Sequence, residues 1–342
     1  MGQRVLVTGG SGFIAGHCIL QLLADGYLVR ATVRSLRHEP EVRATLAAAG
    51  MANAGALSFA EADLTSDGGW RGAVAGCDLV MHVASPVRPG RVKNEDEVIV
   101  PAREGTLRVL RAARDAGIRR VVLTSAFHAV GFGHRHTHRI FTEEDWSVID
   151  GPGVDAYGRS KIHAERAAWE FVNTEGGATE LVTMLPVAVM GPVLGREVTG
   201  ANHIVQRMLN GQMPGHPDMY VPIIDVRDVA SAHVAALTAP DAAGQRILVA
   251  TGEPAMALRQ IGAILRAHLG PAAAKVPTRT IPGLVVRIAA VFSPEFRQVA
   301  ADLGFVKMVS DEKARRVLGL HPRTARQAII ACADSLVAKS LV

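Results

Sequence analysis

The chain has 342 residues, 49% of them hydrophobic and 20% charged, a composition that excludes a disordered or collagen-like polypeptide. The 37 Lys and Arg residues outnumber the 32 Asp and Glu residues by five, but they are dispersed, so no nucleic-acid partner is expected. No apolar run approaches the ~20 residues needed to span a bilayer, so no membrane partner is expected.

In chain order, β-branched runs at residues 4–8, 28–33, 57–60, 78–83, 120–124 and 180–189 alternate with amphipathic stretches at 13–25, 98–116 and 157–173. That alternation predicts a parallel sheet with crossover helices on both faces. Residues 226–237 and 247–250 are read as returning to the sheet, whereas 257–269 and the tail beyond residue 282 read as a smaller helical region. No secretory signal is apparent at the first residues, and the wide sequence spacing of Cys18, Cys77 and Cys332 fits reduced core thiols better than a disulfide framework or a zinc module, so a cytoplasmic protein is expected.

The first strand runs into Thr8-Gly-Gly-Ser-Gly-Phe-Ile-Ala15, where the first helix opens. Gly9 and Gly12 permit a tight turn and close backbone approach to a pyrophosphate, and a helix N-terminus offers free N–H groups. A glycine pattern alone reads equally well as an ordinary turn; its place in a βαβ unit turns the reading toward a dinucleotide. The fold class expected is therefore α/β, a Rossmann-type doubly wound sheet. Residues 1–189 and 217–250 form its nucleotide-binding domain, and 190–216 with 251–342 form a smaller, discontinuous substrate region. At the end of the second strand Arg34 stands where an acidic residue would hold the ribose hydroxyls of NAD, with Arg37 in reserve. A guanidinium there suits a 2′-phosphate, so NADP(H) is the expected cofactor. The bland alternative is a solvated loop.

Tyr157-Gly-Arg-Ser-Lys161 puts a phenol and an ammonium on one helical face. A nearby ammonium is expected to lower a phenol from its usual pKa of ~10 and make it an acid–base catalyst. The spacing also occurs in ordinary packing, so it gains meaning only beside the other motifs.

Together, Thr8–Ala15, Thr32-Val-Arg34, Asp63-Leu64, His82-Val-Ala-Ser-Pro86, Val121-Val-Leu-Thr-Ser125, Tyr157–Lys161, Gly191-Pro192 and Val226-Arg-Asp-Val-Ala230 resemble the extended short-chain dehydrogenases/reductases. The resemblance is to the branch of dihydroflavonol, cinnamoyl-CoA and methylglyoxal or aldehyde reductases, and covers most of the chain. It implies that Gly9, Gly12, Phe13 and Ile14 cradle the pyrophosphate and that Asp63 and Leu64 contact adenine. It places Val83, Ala84, Ser85 and Pro186 along the cofactor, with Ser85 also at the substrate mouth. It makes Tyr157 the donor of a proton to a carbonyl and Lys161 its partner and a ligand of the nicotinamide ribose.

The chain departs from that pattern after the fifth strand, where Thr124-Ser125-Ala126 replaces threonine, serine, serine and puts alanine at the catalytic serine position. Ser125 is expected to take over, with Thr124 or His128 as other donors. Leu185 before Pro186 and Glu104 stand where asparagine is frequent. His134-Arg-His-Thr-His138 has no acidic or cysteine neighbour in sequence and is read as a solvated insertion near the substrate, with no metal assigned. Substrate contacts are expected from Ser85, Phe127, Met190 and Tyr220, within segments 85–91, 127–138, 190–198 and 203–220.

The expected activity is NADPH-dependent reduction of an aldehyde or ketone, by a monomer or homodimer with a small-molecule carbonyl substrate. An epimerase or hydroxysteroid-type dehydrogenase is the enzymatic alternative. A cofactor-binding sensor or scaffold, marked by Ala126, is the alternative of another class.

Overall fold

In the computed structural model, which describes residues 2–86 and 94–342 apart from the side chains of residues 294, 295 and 298, the apolar runs become one seven-stranded sheet. Its strands are β1 (Arg4–Val7), β2 (Leu28–Val33), β3 (Leu57–Glu61), β4 (Leu79–His82), β5 (Arg120–Thr124), β6 (Glu180–Pro186) and β7 (Arg246–Val249). They lie in the order 3-2-1-4-5-6-7, every neighbouring pair parallel. The order reverses between β1 and β4, and the carboxyl ends of strands at such a switch point open the crevice in which this class of sheet binds ligands.

Helices α1 (Phe13–Ala24) and α4 (Val226–Thr238) pack together, as do α2 (Asp96–Asp115) and α3 (Ala156–Thr174). The strands show why two helical layers are needed. Val5 and Val7 join the core containing Ile19 and Leu22 of α1, whereas Leu6 joins the one containing Leu110 of α2 and Phe171 of α3. Alternate side chains leave opposite faces of a strand, so a strand apolar at every position must be covered twice.

The run 180–189, read as one strand, divides. Proline has no N–H to continue the ladder, and after Pro186 the chain leaves the sheet and forms Ala188–Met190, which pairs with Ile223–Asp225. A second core then gathers Met190, Val205 and Met208 with Ile261 and Leu265 of α5 (Leu258–Leu269). Helix α6 (Gly283–Phe292) buries Val286 and exposes Leu284, Ile288, Val291 and Phe292, and α7 (Pro294–Ala301) follows it. Ile329, Cys332 and Leu336 of α8 (Ala325–Ala338) complete the second core. Between α7 and α8 the chain comes back to the large sheet's core. Met308–Val309 pairs with Ile140–Phe141, and Phe305, Val309, Ala314 and Leu320 pack with the first cluster. No helix among the described residues is long and apolar enough to cross a membrane.

Candidate active site

The turn after β1 is built by glycines that have no room for anything larger. Gly9 adopts φ +71°, and a Cβ there would stand 3.0 Å from Cβ and 3.1 Å from Cα of Ala84. Gly10 N–H donates to Thr32 O over 2.8 Å, and Gly9 N–H to Thr32 Oγ1 over 3.0 Å, so β2 fixes the turn. On its other side Thr8 Oγ1 accepts from Ala84 N at 3.0 Å and bonds His82 Nδ1 at 2.8 Å. Helix α1 has no side-chain cap and no acidic residue in its first turn. The N–H groups of Phe13 and Ile14 meet no acceptor among the described residues. This is an anion cradle, and it fits the pyrophosphate of a dinucleotide.

Arg34 is exposed just beyond β2. Asp63 accepts from N and Oγ1 of Thr65 at 2.8 and 2.7 Å. Those bonds hold its carboxyl below the usual range, with the charges of Arg34 and Arg108 adding to them. Leu64 packs over Gly105 of α2, where a Cβ would stand 2.8 Å from Leu64 Cβ.

The N-terminus of α3 presents Tyr157 and Lys161. Asp155 caps the helix by accepting from Gly158 N at 2.7 Å. Lys161 is buried; its Nζ donates to Thr124 O at 3.3 Å and stands 5.8 Å from the centre of the Tyr157 ring. Burial pushes the ammonium down to about 8, opposed by the Glu165 carboxylate. The expectation that Lys161 lowers the phenol is not what this environment does: burial, with Asp155 adding, pushes Tyr157 up to about 12. Desolvation of the phenolate outweighs the attraction of the ammonium. At neutral pH the phenol therefore holds its proton, as a donor must.

The hydroxyls beside this pair are already occupied. Ser125, the expected donor, is buried and gives its hydroxyl to Glu165 Oε2 at 2.7 Å. Glu165 also accepts from Thr183 Oγ1 at 2.9 Å and Arg246 Nε at 2.7 Å. Thr124 Oγ1 lies 2.8 Å from His233 Nε2, and His233 Nδ1 donates to Val229 O at 2.7 Å. Since Nδ1 carries that proton and burial lowers the imidazole to about 4, Nε2 is an acceptor and Thr124 is its donor. Ala126 has no polar atom to offer. His128 stacks on Phe132, centroids 4.2 Å apart, and meets Tyr157 edge-on at 5.0 Å.

Two expected substrate contacts are core residues. Phe127 lies edge-on to Phe132 and Phe141, both at 5.9 Å, and fills the space over Gly131. Met190 is fully buried in the second core. Both are apolar side chains on segments that turn inward, which sequence does not separate from pocket lining. Tyr220 is half-buried and pairs with Ala257, while Ser85 and Pro86 lie half-buried after β4; residues 87–91 of the segment 85–91 lie outside the described residues. Pro186 closes β6 beside Leu185, which is fully buried in the first core. In the histidine-rich insertion, imidazoles meet backbone carbonyls, His134 Nε2 at Val130 O (3.2 Å) and His136 Nε2 at Ala301 O (3.0 Å).

Three features were missed from sequence. Glu165, one turn beyond Lys161, is the hub that holds Ser125. Lys307, far along the chain, is buried beside the site, its Nζ 2.7 Å from Asp302 and 4.1 Å above the Phe132 ring. His82 Nε2 is buried with no partner among the described residues, and burial pushes this imidazole down to about 3, the Lys161 charge adding. The Tyr–Lys spacing signalled the helical face of Glu165, but nothing in sequence brought residue 307 to position 132.

The model of the NAD dependent epimerase/dehydratase family matches residues 5–251. The chain belongs to that family. Its members include the extended short-chain dehydrogenases/reductases, and the seven-stranded parallel sheet with flanking helices is their Rossmann-type fold. Cinnamoyl-CoA reductase 1 of Arabidopsis thaliana is 34% identical over 250 residues, 72% of this chain and 70% of that protein. Dihydroflavonol 4-reductase of Zea mays is 32% identical over 250 residues, 71% of this chain and 69% of that one. The structure of Gre2 from Candida albicans in complex with NADPH superposes with a TM-score of 0.79 at 26% identity, covering 98% of this chain and 99% of that one.

Proposed function

We propose that this chain is an NADPH-dependent oxidoreductase that reduces an aldehyde or ketone to the alcohol. The observation that carries the reading is the pair at the head of α3, a half-buried, protonated Tyr157 with the buried Lys161 one turn below it, at the carboxyl end of β5. When bound, NADPH supplies the hydride. Tyr157 gives its phenolic proton to the carbonyl oxygen, and the Lys161 ammonium steadies the phenolate left behind and serves as a donor to the nicotinamide ribose. Gly9, Gly12, Phe13 and Ile14 hold the pyrophosphate through backbone groups, Asp63 and Leu64 border the adenine, and Val83, Ala84, Ser85 and Pro186 flank the rest. Arg34, exposed and without an ion-pair partner among the described residues, selects the 2′-phosphate.

The cinnamoyl-CoA and dihydroflavonol reductases among the relatives, and the NADPH-bound Gre2 structure, support carbonyl reduction over epimerisation. In this reading residues 1–189 and 217–250 hold the cofactor, and 190–216 with 251–342 shape the substrate end, in a monomer or homodimer. The three cysteines are free, as befits the reducing cytoplasm. The test is NADPH oxidation by the purified protein against aromatic aldehydes, aliphatic aldehydes, α-dicarbonyls and ketones, with NADH in parallel. Turnover that prefers NADPH is the expected result; tight NADPH binding with no turnover across the panel would overturn the reading in favour of a sensor.

A further inference from the structure

A carbonyl oxygen that gathers negative charge during hydride addition needs hydrogen-bond donors fixed where that charge develops. Tyr157 is one. The loop after β5 would be the source of a second, yet each hydroxyl there is spent: Thr124 on the acceptor nitrogen of His233, Ser125 on the carboxylate of Glu165. Position 126 is alanine. Neither hydroxyl turns toward a substrate without leaving His233 or Glu165, both buried, short of a partner.

His128 is the next polar side chain on that loop, and its surroundings differ from those of the two hydroxyls. Its ring is held on one face by Phe132 at 4.2 Å and touches Tyr157 edge-on at 5.0 Å. Phe132 in turn lies beneath the Lys307 ammonium at 4.1 Å, which is tied to Asp302 at 2.7 Å. The imidazole plane is thus fixed between the catalytic phenol and a stack anchored in the segment before Met308. Neither imidazole nitrogen has a hydrogen-bond partner among the described residues, and neither is sealed in the way that His82 Nε2 is. A ring packed this firmly beside a proton donor, with its polar atoms unused and still reachable, is available to a ligand.

We infer that His128 supplies the second hydrogen bond to the substrate carbonyl oxygen, in the place where this loop carries no free hydroxyl. The charged and titratable groups that bear on the ring are Asp155, Lys307, Lys161 and Asp302, besides Tyr157. Burial outweighs them and lowers the imidazole to about 4, so it is neutral at pH 7 and donates through its one N–H. No proton is transferred from it; the proton still comes from Tyr157 and the hydride from the cofactor.

This inference rests on the reductase reading, and its test separates the two. In the full chain, H128Q keeps a donor and H128L fills similar space without one; Y157F and S125A serve as comparisons. NADPH affinity and Tm are measured with kcat and KM for a carbonyl that the wild type reduces. H128L should lower kcat about 10²–10³-fold while NADPH affinity stays within about twofold, and H128Q should recover at least about tenfold of that loss. S125A should stay within about threefold of wild type. Equal kcat for H128L and H128Q, or H128L within about threefold of wild type while Y157F is inactive, overturns the role of His128 and leaves the reductase reading standing. A wild type that binds NADPH and reduces no carbonyl overturns both.

Discussion

The hydroxyl of Ser125 donates to Glu165 Oε2 over 2.7 Å, and the same carboxylate accepts from Arg246 Nε over 2.7 Å. Ser125 is therefore one spoke of a buried network that joins the end of β5 to α3, β6 and β7. Arg246 also lies 3.7 Å from the centre of the Trp146 ring and donates to Glu143 O and Asp145 O. Removing the serine hydroxyl leaves Glu165 with its other donors. Removing the carboxylate leaves a nearly buried guanidinium without its anion, which typically costs about 3–5 kcal/mol. S125A should lower stability by about 1 kcal/mol and change turnover little. Glu165→Ala should lower the denaturation midpoint strongly. Urea melts of the two variants check this; equal destabilisation would mean that Glu165 is not the hub.

Arg34 stands beyond β2 with an exposed guanidinium, and the carboxyl nearest to it in effect, Asp63, is already satisfied by Thr65. A free guanidinium can make two charge-assisted bonds to a phosphate but has little to offer a ribose hydroxyl. Arg34→Ala should raise the Kd for NADPH by about 10- to 100-fold, roughly 1.5–3 kcal/mol, and leave the Kd for NADH within about threefold. Nucleotide titrations at constant ionic strength measure both. A parallel loss for both nucleotides would assign Arg34 to loop stability, not to 2′-phosphate selection.

How far the sequence reached is clearest in β1. Val5, Leu6 and Val7 are all apolar, which demanded a strand covered on both faces, and the glycines after it could sit only at a tight turn. Tyr157 and Lys161 were readable because one helical turn brings them together without help from the rest of the chain. Phe127 and Met190 were misread as pocket residues because an apolar side chain does not announce which side of its loop faces the core. That the Ser125 hydroxyl donates to Glu165, forty residues away, was not legible, and Lys307 was invisible because its place depends on Met308–Val309 pairing with Ile140–Phe141. What depends on local spacing could be inferred; what depends on contacts across the sheet could not.

Imidazoles that the fold holds neutral, His17 among them, make stability sensitive to mild acid. Burial lowers His82 to about 3 and His128 and His233 to about 4, against about 6.5 in an unfolded chain. Below pH 6.5 the unfolded chain binds protons that the folded one refuses, so stability is full above that value and falls as the pH drops toward 4. Each imidazole contributes up to about 1 kcal/mol per pH unit within that window. Asp63 and Glu180, whose carboxyls are lowered by hydrogen bonds, act only below their own unfolded values near 4 and do not share the window. Tm should therefore fall between pH 7 and pH 5, and His233→Gln should make that fall shallower. A Tm that is flat from pH 7 to 5 would show that these imidazoles are not held neutral.

The upper pH limit of catalysis should belong to the lysine. In the proposed reaction Tyr157 enters with its proton, and with the phenol pushed up to about 12 it keeps that proton throughout the working range. Lys161 is pushed down to about 8, so the ammonium that steadies the developing phenolate is lost first as the pH rises. Because kcat/KM reports groups of the free enzyme, its alkaline limb should bend near pH 8 and fall about tenfold per pH unit above it. Lys161→Arg, which cannot be neutralised in this range, should remove the bend while lowering the plateau, since a guanidinium does not fit the ammonium's place beside Thr124 O. Initial rates of NADPH oxidation at constant ionic strength from pH 6 to 11 decide the matter. A limb that stays level to pH 10 in the wild type would assign the limit to Tyr157 and mean that Lys161 keeps its charge despite its burial.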